Sequence, residues 1–265
     1  YSFVSKTTEK VSSKFAICLP INEFLKYSQY LFYLHPSPNF AGVMTIQAIL
    51  FDFDGTTVDS EKVNYLCWRD CMQEQGVELT EEEYLLNYIG YPSRVSIQRA
   101  IEKHGLKVSV AFMQERGRLW YAARPEVLKF DLMPGLMKSL DFYKAHGIRL
   151  AIVTGSHRPV IDRFFQQRPE MYDYFDFAVT ASDVEHSKPH PASYQLALKR
   201  LNLPAEAVIA FEDTLSGVRS AQGANICCYA IQRAAILRKQ LKIADSIFEN
   251  LEAARMYLVM QKLIG

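Results

Sequence analysis

The stretch that decides the fold is Ala48–Glu61, AILFDFDGTTVDSE. An apolar run from Ala48 to Phe51 goes straight into Asp52, Phe53, Asp54 and Gly55. Such a run, closed by a turn signal, reads as a buried strand. A strand is therefore predicted over Ile46–Phe53, with Gly55 permitting the turn that follows. The two-residue period of a strand puts Asp52 and Asp54 on one side and Phe53 on the other. Carboxylates at the mouth of a buried strand need a structural reason or a chemical task.

From Ser60 to about Phe130 the pattern is helical. EKVNYLCWRDCMQEQG stops at Gly76, a stop signal. TEEEYLLNYIG opens on Thr80 with Glu83 three residues on, which predicts a capping box. SRVSIQRAIEKHG and VSVAFMQERGRLWYAARP continue the helices, and LMPGLMKSLDFYKAHG begins a new unit. Beyond it, the strand-like IRLAIVTGS, FDFAVTASD, AVIAFED and ICCYAI alternate with RPVIDRFFQQ, HPASYQLALKRLNL and TLSGVRSAQGAN, and the tail reads as helical. That alternation predicts a parallel sheet covered on both faces. The expected fold is a Rossmann-like open α/β core, 44–59 and 131–265, with a helical unit, 60–130, inserted after the first strand. Residues 1–43 are expected to form an extension of unassigned role, with Met44 a candidate natural start.

Composition narrows the function. The chain has 265 residues, 49% hydrophobic, with a net charge of +1. No strong field invites nucleic acid or an anionic membrane surface. Residues 1–43 carry no long uncharged apolar run, so neither a leader nor a membrane span is expected there. The five cysteines form no C-x-x-C pair, which fits a reducing compartment. A cytoplasmic protein, monomeric or weakly dimeric, is expected.

Polar residues gather at the ends of the predicted strands. Asp52 and Asp54 follow the first, Thr154, Gly155 and Ser156 another, and Glu212 and Asp213 a third; Lys188 lies in SKPHP. Ligands of open α/β sheets bind beyond the carboxyl ends of the strands, so these segments are expected to meet. Taken singly each has an ordinary reading: a turn at Asp54-Gly55, a surface lysine at Lys188, a helix cap at Glu212-Asp213. Together, their four carboxylates repel and call for a cation, and an all-oxygen set suits Mg2+. Thr154 can donate to a phosphate oxygen, and Lys188 supplies a fixed positive charge. One aspartate is then left to attack phosphorus and Asp54 to move a proton.

These motifs in this order resemble the haloacid dehalogenase superfamily, in the branch holding β-phosphoglucomutase and many small sugar-phosphate phosphatases. DFDGT resembles its first motif, VTGS the second, SKPHP the third and FEDTLSGVRSA the fourth. The resemblance runs from about Ile46 to the C-terminal region. It implies that Asp52 is the nucleophile of an aspartyl-phosphate and Asp54 the general acid/base. It implies Mg2+ held by Asp52, the Asp54 carbonyl, Asp213 and Glu212, and phosphoryl oxygens held by Thr154, Lys188 and the amides near Gly155 and Ser156. The inserted helices would be the family's cap, which closes over a small phosphorylated substrate.

Within the cap, YIGYPSRVSI is the expected specificity loop. Gly90 would allow its turn, and Arg94 would either reach a second anionic group or be solvated at a helix start. Lys62 and Asn64 either line the cleft or lie on a helix surface. The mutase pattern has a histidine where this chain has Asn64, and its arginine comes one position earlier. The expected activity is thus Mg2+-dependent hydrolysis of a small phosphorylated metabolite, a sugar phosphate first. A phosphosugar mutase is the alternative, and a binding protein with a retained site is disfavoured by the intact Asp52, Asp54, Lys188 and Asp213.

Overall fold

Four residues, Ala48–Phe51, form the central strand β1. All are buried, and their side chains alternate: Ala48 and Leu50 enter one hydrophobic cluster, Ile49 and Phe51 another. The strand ends earlier than predicted because Phe53 has turned out of the ladder. Its carbonyl accepts from the amides of both Thr57 and Val58, at 2.9 Å each. The computed structural model describes residues 45–89, 91, 93–124 and 129–264. The expected extension and Gly90 lie outside the described residues.

Five further strands complete a parallel sheet: β2 (Arg149–Val153), β3 (Phe177–Val179), β4 (Val208–Glu212), β5 (Cys227–Ile231) and β6 (Ser246–Phe248). The order is β3-β2-β1-β4-β5-β6. It reverses between β1 and β4, and such a switch point opens a crevice at the carboxyl edge. Phe51 is in register with Phe211, so Asp52 emerges beside Glu212. The predicted helical tail needs one correction. β6 is a strand of three residues, too short to show a period, and its pairing with β5 holds it.

One face of the sheet is large and aromatic. Phe51, Phe211 and Tyr229 pack there beneath α5 (Leu136–Ala145), α6 (Arg158–Gln167) and α10 (Leu251–Met260). Phe51 meets Phe211 edge-on at 5.3 Å. Fully burying one such ring stabilises the fold by roughly 1.5–3 kcal/mol. The opposite face mixes the small Ala48, Ala151, Ala210 and Ala230 with Leu50, Val153 and Val208, and α7 (Ala192–Leu201) and α8 (Leu215–Gly223) cover it. The short α9 (Ala235–Arg238) follows β5.

The inserted helices form a cap with its own core. α1 (Glu61–Gln73), α2 (Glu81–Asn87), α3 (Ser93–His104) and α4 (Val110–Ala122) surround a cluster that includes Cys67, Met72, Tyr84, Ile97 and Trp120. Only half of the predicted capping box forms. Thr80 accepts from the Glu83 amide at 3.2 Å, but the Glu83 carboxylate binds Lys103 and His104 at 2.8 Å instead. The segments entering and leaving the cap are tied side by side: Asp59 N–H donates to Asp131 at 2.8 Å and Met133 N–H to Thr57 at 3.0 Å.

Candidate active site

The carboxyl ends of β1, β2 and β4 deliver the polar residues to one place. Asp52 continues the β1 ladder through its amide, which donates to Phe211 at 2.9 Å. Its carbonyl accepts the Thr57 hydroxyl at 2.6 Å. Both contacts fix the backbone and leave the carboxylate to project into the site, where it is 6% exposed.

Lys188 reaches the same point from the loop after β3. Its ammonium lies 2.5 Å from Asp52 Oδ1, 2.5 Å from Glu212 Oε1 and 2.8 Å from the Val153 carbonyl. Three acceptors use the three donors of a lysine. Burial opposes the charge, but Asp52 and Glu212 outweigh it and hold the ammonium above its ordinary range. Tyr194 of α7 donates to Glu212 Oε1 at 2.7 Å, and its ring lies 5.2 Å from the Lys188 nitrogen.

The acidic side of the site is under-neutralised. Ligand oxygens of Asp52, Glu212 and Asp213 come within 4.8 Å of one another, and all three residues are buried. Among the described residues, Glu212 Oε2 and Asp213 Oδ1 have no hydrogen-bond partner. Burial, and then the Glu212 and Asp54 charges, push Asp52 up to about 8 although Lys188 pulls the other way. Burial and the neighbouring Asp52, Glu61 and Glu212 push Asp213 well above the carboxylate range. Orphaned anionic oxygens in a buried all-oxygen set fit a hard divalent cation of the size of Mg2+. Two glycines keep the space open. A Cβ on Gly55 would lie 2.1 Å from Asp213 Oδ2, and one on Gly217 would lie 1.8 Å from Glu212 Oε2.

Helix capping does not explain Glu212 and Asp213. Thr214 is the cap of α8, and its hydroxyl accepts from the Gly217 amide at 3.1 Å. Asp54 accepts the Ser156 hydroxyl at 2.7 Å, which fixes its carboxylate beside the loop after β2. Thr154 is 2% exposed, and its hydroxyl accepts the Ser156 amide at 2.9 Å. Gly155, next to it, is exposed.

The cap residues divide. Asn64 accepts the Tyr121 hydroxyl at 2.7 Å. Both line a cavity of about 630 Å³ that reaches Asp54 and Ser156. Lys62 lines a second cavity, of about 440 Å³, that reaches Gly55 and Asp213. Arg94 is not brought to the site: it is exposed on the first turn of α3 and lines neither cavity.

Sequence reasoning missed Glu61, Tyr121, Tyr194 and Gly217. Burial, followed by the Asp54 charge, pushes Glu61 up to about 7, and Tyr84 donates to it at 3.3 Å. An acid at the start of a helix looks like an ordinary dipole partner, so local sequence held no signal for it. The others act through partners far away in the chain.

Comparison with known proteins agrees with this geometry. Residues 49–231 match the haloacid dehalogenase-like hydrolase family. The chain is 32% identical over 187 residues to a phosphorylated carbohydrates phosphatase of Thermotoga maritima, covering 68% of this chain and 82% of that protein. It is 31% identical over 193 residues to the protein CbbY of Rhodobacter capsulatus, covering 69% and 84%. Among solved structures, CbbY of Rhodobacter sphaeroides in complex with xylulose-(1,5)bisphosphate superposes with a TM-score of 0.61 at 25% identity, covering 79% of this chain and 99% of that one. A β-phosphoglucomutase of Clostridium difficile shares the fold, with a TM-score of 0.66 at 22% identity over 83% of this chain and 97% of that one.

Proposed function

The chain belongs to the haloacid dehalogenase-like hydrolase family, and from that premise we propose that its substrate is the phosphate monoester of a small sugar-like metabolite. It is a Mg2+-dependent phosphoric monoester hydrolase that works through an aspartyl-phosphate. The observation that carries the assignment of roles is the Lys188 ammonium bridging Asp52 and Glu212 at 2.5 Å, beside orphaned oxygens of Glu212 and Asp213.

Mg2+ would be held by Asp52, Asp213, the Asp54 carbonyl and Glu212; bound there, it keeps the carboxylates ionised and neutralises phosphoryl charge. Asp52 Oδ1 is held by Lys188, so Oδ2 is the oxygen that attacks phosphorus. Lys188, on exchanging one of its three acceptors for a phosphoryl oxygen, and the Thr154 hydroxyl hold the phosphoryl oxygens, and the amides around Gly155 and Ser156 join them once the Ser156 amide leaves Thr154. Asp54 gives a proton to the departing ester oxygen as its bond to phosphorus breaks. It then takes a proton from the water that attacks phosphorus, and the Asp52 carboxylate is released with inorganic phosphate. The Ser156 hydrogen bond orients Asp54 for both transfers.

The likeness to a phosphorylated carbohydrates phosphatase supports a sugar-phosphate class. Hydrolysis is favoured over mutase chemistry by Asn64. Its amide cannot carry a proton, and its oxygen is already bound to Tyr121. Residues 60 and 130 are taken as the limits of the cap that selects the substrate, with Lys62 and Asn64 on its cleft side. Arg94, exposed on the first turn of α3, is given no part in holding the substrate.

The test is Mg2+-dependent phosphate release across sugar and small-metabolite monophosphates, with isomerisation of β-glucose 1-phosphate followed in parallel. Release from one or a few substrates is expected. Conversion of β-glucose 1-phosphate to glucose 6-phosphate with little phosphate freed would replace the phosphatase reading by a mutase.

A further inference from the structure

The cap encloses a third cavity, of about 500 Å³, that the catalytic steps do not use. Its walls include Trp68, Tyr84, Tyr88, Ile97 and Met113, together with the thiols of Cys67 and Cys71. Trp68 and Tyr88 are stacked at 4.9 Å with their planes 12° apart. Tyr84 lies tilted against Trp68 at 6.0 Å. The volume falls in the range of small-molecule pockets, roughly 300–1,000 Å³.

The chamber adjoins the catalytic cleft and shares wall residues with it. Glu61, Tyr84 and Ile89 line both it and the cavity that reaches Asp213. Asn64, Arg118 and Tyr121 line both it and the cavity that reaches Asp54 and Ser156.

The chamber's inner hydroxyls are already committed. Tyr88 contacts Glu83 and His104, each at 3.2 Å. Ser96 donates to the Tyr88 carbonyl at 2.7 Å, Tyr84 to Glu61 at 3.3 Å and Tyr121 to Asn64 at 2.7 Å. Ser93, Gln114 and Arg118 are exposed. A polyol entering this space would lose water from its hydroxyls and find few partners in return. A flat ring loses little on leaving water and gains stacking and sulfur contacts.

We propose that the chamber receives a flat aromatic or heteroaromatic ring carried by the phosphate ester, with the sugar-like part of the substrate in the cleft between Glu61 and Asn64. The preferred substrates are then ring-bearing monophosphates, of which a nucleoside monophosphate is one class, and not bare polyol phosphates. The proposal rests on the phosphatase reading and names the substrate class of that same site.

The test uses matched esters of primary alcohols, so that the leaving group does not decide the result: uridine 5′-monophosphate against ribose 5-phosphate, and 2-phenylethyl phosphate against ethyl phosphate. In each pair kcat/KM is expected to be about tenfold or more higher for the ring-bearing ester, the scale of one base–aromatic stack. Trp68→Leu should bring that ratio toward unity, and Trp68→Phe should retain most of it. A wild-type ratio at or below unity in both pairs, or a ratio unmoved by Trp68→Leu, would overturn the proposal and leave the phosphatase assignment standing. Binding is read separately by titrating the Asp52→Asn protein with the same esters and following tryptophan fluorescence. Tighter binding of the ring-bearing esters without turnover by the wild type would refute the phosphatase reading and support the chamber's role. Equal binding of both members of each pair would refute the chamber's role whatever the turnover.

Discussion

Replacing Lys188 by methionine tests the electrostatic construction of the site. The ammonium touches Asp52 and Glu212 at 2.5 Å, and the lysine side chain is only 9% exposed. Removing it strands buried carboxylates that lie within 4.8 Å of one another. Breaking one partner of a buried pair typically costs about 3–5 kcal/mol. At roughly 2–4 °C per kcal/mol for a chain of this size, Tm in a chelator should fall by about 6–20 °C. The deficit should depend on pH. Asp52 already stands at about 8 with Lys188 beside it, against an ordinary 3.8, and losing the lysine raises it further. A raised acid contributes stability below its unfolded value and loses it as pH rises through the folded value. The Asp52 part of the deficit should therefore be absent well below pH 8, where the acid is protonated with or without the lysine, open as pH rises through 8 and above, and narrow on adding Mg2+, which supplies positive charge. The assay is thermal unfolding of both proteins at several pH values, with chelator and with Mg2+. A variant that melts within 2 °C of the wild type at pH 9 and above in chelator would refute the reasoning.

Three further outcomes are expected. Gly217→Ala places a methyl 1.8 Å from Glu212 Oε2, so it should raise the Mg2+ concentration for half-maximal activity at least tenfold, although alanine favours a helix; an unchanged Mg2+ titration would mean that Glu212 takes no part in holding the cation. Asp52→Asn should abolish turnover while its circular dichroism stays that of the wild type, and substantial residual phosphate release would rule out a covalent intermediate. Glu61→Gln should flatten the pH dependence of stability: burial and Asp54 raise Glu61 from 4.5 to about 7, so the wild type should lose stability across that window as pH rises, and parallel Tm profiles for the two proteins would count against it.

Much of this was legible in the sequence, for identifiable reasons. The run Ala48–Phe51 is apolar at every position because β1 is covered on both faces, and the Asp-Phe-Asp-Gly that follows marks its end. Strand ends in an open parallel sheet line one edge, so the grouping of Asp52, Thr154, Glu212 and Asp213 follows from topology, whereas Lys188 sits on the loop after β3 and is expected there from its motif. Interactions that are not local left no trace. Tyr194 reads as a core residue of an amphipathic helix, and only the fold shows its hydroxyl on Glu212. Gly217 reads as a weak point in a helix, and only the proximity of Glu212 shows why a side chain does not fit there. Glu83 reads as half of a capping box, but Lys103 and His104, brought close by packing, compete successfully for it. β6 failed for want of length, since three residues cannot display a period.

The cap cluster around Cys67, Tyr84 and Trp120 shares no buried residue with the two clusters that hold the sheet. Substitutions in one interior are therefore nearly additive with those in the other. A substitution in the cap interior thus leaves the platform that presents Asp52 unstrained. One chain therefore holds two interiors that can be perturbed separately, one under Asp52 and one around the cap cavity.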